Sequence, residues 1–165
     1  MIKQLNQVKE FHEKFGIHVG KNVGDVDGFT ATLRASLIEE EAKSERYPEY
    51  KRAVIDTLET FSDNPKRGYL KAHELIVPLR ERFVIKRVFT YFALFFKDVV
   101  NYNIGHERLF KSYDPLIKKL AATIKNPLPL IVATYEISKK VDDYVNTGLL
   151  VDELLIKMVK ETTDE

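Results

Sequence analysis

Residues 87–100 read RVFTYFALFFKDVV: four phenylalanines, a tyrosine and a run of aliphatics, with Lys97 and Asp98 near the end. Three placements compete for so apolar a segment. It is a membrane span, a core helix, or a helix covered by its own domain on one side and by another subunit on the other. A span needs about 20 consecutive apolar residues. Here the uncharged part runs only from Val88 to Phe96, with Lys86, Arg87, Lys97 and Asp98 tight around it, so the segment does not cross a bilayer. On a helical wheel, the polar positions of 80–103 (Arg80, Lys86, Arg87, Thr90, Lys97, Asp98 and Asn101) gather within about a third of the circle, which leaves an apolar arc of about 200°. An ordinary surface helix buries about half that width. The segment is therefore either central in a bundle or shared with a neighbour.

Working outward, the chain reads as helices almost throughout. Ile2, Leu5, Val8, Phe11 and Phe15 share a face of a helix over 2–15, stopped by Gly16. Residues 16–28 carry four of the seven glycines and read as a loop. Asp27 or Thr30 then caps a helix over 28–44, with Phe29, Leu33, Leu37 and Ile38 on one face. Tyr47-Pro48 starts a helix that ends at the breaker 62–65, and Pro65 opens another that Pro78 ends or kinks. The segment 80–103 stops at Gly105. Asp114-Pro115 caps the next helix, residues 126–129 break the chain again, and helices over 129–145 and from Leu149 onward complete it. No stretch alternates apolar and polar residues long enough for a strand. The expected fold is all-α: a small helical piece over 1–42, then a bundle of about six helices over 43–165.

Composition narrows the function classes. With 165 residues and 44% of them apolar, the chain can bury a substantial core. Its 26 basic and 25 acidic side chains nearly cancel, so no global field draws it to nucleic acid or anionic lipid. The absence of cysteine excludes a disulfide framework, a thiolate metal site and a cysteine nucleophile, and fits a reducing cytoplasm. The first fourteen residues, MIKQLNQVKEFHEK, lack a signal-peptide apolar core.

Few residues carry the spacing of chemistry. His12, His18, His73 and His106 lie on different predicted elements with no HxxxH or HxxE spacing, so no metal is expected from them. Glu39, Glu40 and Glu41 with Glu45 form the one dense carboxylate cluster, which reads first as a solvated helix end. The glycines over 16–28 do not spell a phosphate loop, and no serine sits in a GxSxG turn. Lys66, Arg67, Lys71, Arg80, Arg82, Lys86 and Arg87 make 65–87 locally positive, a density that phosphate contact needs and that solvated helix faces also show. The last helix repeats the feature of 87–100: Leu149, Leu150, Val151, Leu154, Leu155, Ile156, Met158 and Val159 cover over half its wheel. Leaving such arcs in water forgoes several kcal/mol at about 25 cal/mol per Å². Phe89, Phe92 and Phe96 on one arc, and Leu150, Leu154, Leu155 and Met158 on the other, are therefore expected at subunit contacts.

From about Arg46 onward the chain reads YPEYKRAVIDTLETF, KAHEL, YFALFFKDVVNYNIGHERLF, DPLIKKLAATI and EISKKVDDYVNTGLLVDELLIKMV in that order. This order of features resembles the carboxy-terminal region of clamp-loader delta prime subunits of bacterial DNA polymerase III. The last segment is the most specific, with its long helix, Asn-centred break and leucine-rich terminal helix. The resemblance implies a helical collar that joins gamma/tau and delta subunits, binds no cofactor, and meets DNA and the sliding clamp only indirectly. It implies a role in DNA replication through protein contacts rather than catalysis. Residues 1–42 would match the lid between ATPase module and collar. After Gly28 the chain reads Phe29-Thr30-Ala31-Thr32-Leu33, with Arg34 late for a nucleotide-touching lid arginine. Nothing resembles the ATPase module, so the chain is expected to be part of a longer subunit or a stand-alone remnant.

A second resemblance is to MazG-type all-α nucleoside triphosphate pyrophosphohydrolases, through VKEFHEKFG followed by RASLIEEE. It implies Mg²⁺ ligands at Glu40, Glu41 and Asp56. The third position of the first motif is Ser44, and Ala53 stands where the second motif has a glutamate.

Overall fold

Where the sequence places its breakers, the chain turns. The computed structural model of the protein describes residues 23–41, 47–143 and 146–162. Among them are seven α-helices: α1 (Val23–Glu41), α2 (Tyr47–Asp63), α3 (Pro65–Leu75), α4 (Arg82–Asn103), α5 (Asp114–Thr123), α6 (Leu128–Lys139) and α7 (Thr147–Lys160). Short 3₁₀ turns occupy Val77–Leu79 and Lys111–Tyr113. The described residues hold no strand, only an isolated bridge between Ile124 and Thr162, so the all-α expectation stands. The expected helix over 2–15, with His12 and His18, lies outside the described residues.

Local chemistry sets the boundaries. Asn64 accepts hydrogen bonds from the Lys66 and Arg67 N–H groups at 3.1 and 3.3 Å, and Pro65 follows in the first turn of α3. The α2–α3 hairpin closes tightly because Gly68 is bare: a Cβ there would stand 2.5 Å from the Phe61 Cα. Gly105, at φ +76°, turns the chain after α4. Asn146 caps α7 by accepting from the Gly148 N–H at 2.9 Å. Thr147 beside it donates its hydroxyl to the Arg80 carbonyl at 3.1 Å, which ties the start of α7 to the turn that precedes α4.

Packing follows from where apolar arcs are widest. Helix α4 touches α1, α2, α5 and α6. Fourteen of its residues are buried, Phe89, Phe92, Phe95 and Phe96 among them. Aromatic contacts lock it in place: Phe95 stacks on Phe110 at 4.3 Å between centroids, and Phe92 on Phe96 at 6.0 Å. Helix α7 lies against α3 and α6, with Leu150, Val151, Leu154, Leu155 and Met158 turned inward.

Three expectations are corrected. Helix α1 begins at Val23, so Gly24, Asp27, Gly28 and Thr30 lie inside it rather than in a loop or at a cap. Two interior glycines cost about 1 kcal/mol each against alanine, and tertiary contact offsets that: Phe29 is buried edge-on to Tyr135 at 4.4 Å. Helix α6 ends at Lys139, short of residue 145, and gives way to turns. Thr90 and Asp98, assigned to the polar sector of the Phe-rich helix, are 6% and 1% exposed. Phe29 belongs to the same core cluster as α4, so the described part of 1–42 shares the core of the bundle. No helix among the described residues is long and apolar enough to cross a membrane.

Candidate functional site

The seven residues expected at subunit contacts lie inside the chain's own core. Phe89, Phe92, Phe96, Leu150, Leu154, Leu155 and Met158 are 0–2% exposed, so their side chains are covered by the chain itself. The physical reason is the number of intramolecular neighbours: a helix with partners on several sides uses a wide apolar arc without any second chain. What α7 does leave outside is Leu149 and Ile156, 59% and 44% exposed. They stand seven residues apart, hence on one face. Leu70, Phe83 and Ile104 are the other large apolar side chains exposed among the described residues.

The carboxylates proposed to hold Mg²⁺ are not shown together. The side chains of Glu40 and Glu41 lie outside the described residues. Asp56 is half-exposed and accepts from the Arg52 guanidinium at 3.2 Å, an i,i+4 pair along α2. Helix α1 packs on α4 and α6, whereas α2 packs on α3, α4 and α5. No group of three or more His, Cys, Asp or Glu suited to a metal occurs among the described residues. The basic run 65–87 is partly consumed locally: Lys71 pairs with Glu74 at 3.5 Å, Lys86 with Asp142 at 2.7 Å, and the Arg87 guanidinium sits over the Phe83 ring at 5.3 Å.

Two polar constellations were not foreseen. One clamps α3 to α7. The His73 Nε2 and Asp152 Oδ1 atoms are 2.6 Å apart. The Tyr69 hydroxyl also donates to Asp152, and this bond first, with His73 second, holds the Asp152 carboxyl below the usual carboxylate range. Its members are partly exposed; Tyr69 and His73 belong to α3, and Asp152 belongs to α7, between Leu149 and Ile156 in sequence.

The other lines a cleft of about 490 Å³ between α1, α4 and residues 104–111. Its anchor is Asp98. Both carboxylate oxygens accept backbone hydrogen bonds, from Leu109 N–H and Phe110 N–H, each at 2.8 Å. That seats Phe110 against Phe95 and fixes the loop as one wall of the cleft. Burial pushes the Asp98 carboxyl up, and the two N–H bonds only partly oppose it. Around this anchor stand four cations. Lys97 pairs with Asp27 across the gap between α4 and α1. Arg108 makes a bidentate pair with Asp114 at 3.1 and 2.8 Å, and Lys111 pairs with Glu107. Arg34, on α1, makes no ion pair among the described residues, although together with Lys111 it helps to hold the Glu107 carboxyl low. The one sequence signal for this site was a lone Asp in the most apolar helix of the chain. Its partners lie 11 and 12 residues downstream, in a loop whose path only the tertiary fold decides.

Scans against protein-family models, curated proteins and solved structures return no match to this chain.

Proposed function

We propose that the chain is a non-catalytic helical scaffold that acts by docking to other proteins, with the clamp-loader collar as its specific form. In that form it joins gamma/tau and delta subunits in the replication machinery and meets DNA and the sliding clamp through them. The observation that supports this reading is on α7, the helix that carries the most specific part of the resemblance. After its inner face is spent on α3 and α6, the helix still presents Leu149 and Ile156 to solvent on one face. About half of each side chain is still in water, so covering the rest against a neighbour gains about 1 kcal/mol apiece. A collar helix has to satisfy its own bundle and a neighbouring one, and these are the residues left for the second task. The contact surface thus moves from the inner positions expected from the sequence to the outer positions of the same helix.

The test is co-assembly. Mixed with purified gamma/tau and delta subunits, the chain elutes with them on size exclusion, and the double variant Leu149→Asp with Ile156→Asp elutes alone. Separate elution of the unaltered chain would sink the clamp-loader reading.

A further inference from the structure

We propose that the cleft between α1, α4 and residues 104–111 binds a small anion bearing phosphate groups, held by Arg34 and Lys97. The first argument is depth. In the Lys97–Asp27 pair the cation is 16% exposed and the carboxylate 52%; in Arg108–Asp114 the values are 24% and 38%; in Lys111–Glu107, 63% and 76%. In each pair the cation is the deeper partner and the acid the more solvated one. A carboxylate already half in water gives way cheaply to a better anion, because solvent screening leaves such pairs weak.

The second argument is the spare guanidinium. Arg34 faces this space and is committed to no carboxylate among the described residues, and its planar fork suits a tetrahedral oxyanion. The third concerns the acid that would repel an anion from the floor. Both oxygens of Asp98 are already spent on the Leu109 and Phe110 N–H groups, and burial disfavours its charge. The remaining acids, Asp27 and Glu107, stand at the rim. A volume of about 490 Å³ admits a ligand as large as a nucleotide. The charge is concentrated where α1 meets the loop, so recognition there is of the phosphates rather than of any apolar moiety. This inference is independent of the scaffold reading.

Isothermal titration of the chain with inorganic pyrophosphate, at about 0.15 M salt where surface fields are screened, tests it. Saturable binding is expected, weakened by about tenfold or more in Arg34→Ala, since charge-assisted bonds are the strong ones. Arg34 is exposed, so its loss leaves the fold intact. Glu107→Gln, which removes a rim competitor, binds more tightly than the parent. Lys157→Ala removes the same charge from α7 and leaves affinity unchanged. Absence of binding into the millimolar range overturns the proposal. So does an equal loss in Arg34→Ala and Lys157→Ala, which would mark the attraction as general surface charge.

Discussion

Helices α4 and α7 carry apolar arcs of similar width and meet different fates. Helix α4 has four helical neighbours and is swallowed over its middle, from Val88 to Phe96. Helix α7 has two, and keeps Leu149 and Ile156 in water. The width of an arc reports how many surfaces a helix must satisfy. It does not report whether those surfaces belong to the same chain. From Val88 to Phe96 all of them do, so arc width there calls for no partner; α4 leaves Phe83 exposed at its start, and α7 leaves two outer positions unspent.

The largest effect that would break this contrast is in the core. Phe95→Ala is expected to cost about 3–5 kcal/mol and Leu154→Ala about 2–5 kcal/mol, measured by urea denaturation of the isolated chain. If α4 were half covered by a partner, its phenylalanine would instead cost little in isolation. Next comes the loop wall. Asp98→Ala leaves the Leu109 and Phe110 N–H groups without their acceptor, and a buried unsatisfied donor costs about 1–3 kcal/mol. The same denaturation series reads it.

A smaller effect separates the acids of the two helices by sign. Asp98 on α4 has its carboxyl raised by burial, so the stability linked to it is full below the unfolded carboxylate range and is lost as pH rises through the folded value. Asp152 on α7 has its carboxyl lowered by the Tyr69 bond, so its contribution is present at neutral pH and is lost as pH falls through the folded value. Between about pH 3 and 6, Asp98→Asn is expected to steepen the loss of stability on acidification and Asp152→Asn to flatten it. The smallest effect is on the outer face of α7. Leu149→Asp with Ile156→Asp changes the stability of the isolated chain by about 0.5 kcal/mol or less per site, although it abolishes the proposed docking.

Much of the bundle was legible because its breakers are local. Asn64-Pro65, Pro78, Gly105, Pro115 and Asn146 each act within one turn of the chain, and the helices begin or end beside them. The start of α1 was not legible. Gly24 and Gly28 read locally as a loop, and what keeps them helical is distant: Phe29 on Tyr135 and Asp27 on Lys97. The cleft stayed hidden for the same reason. A wheel places Asp98 among polar neighbours, and only the return of residues 109–110 shows the carboxylate to be a buried staple. The burial of Phe89, Phe92, Phe96, Leu150, Leu154, Leu155 and Met158 within the chain was not legible either, because a wheel records which face is apolar without recording what covers it.

Native-state hydrogen exchange of the isolated chain at several concentrations tests the central claim most directly. If α4 is sheltered by its own siblings, the amides of Val88 to Val100 exchange only through global unfolding, at rates that do not change with protein concentration. Fast exchange in dilute solution that slows as the chain is concentrated would contradict the account, because it would show that α4 depends on a second molecule for its cover.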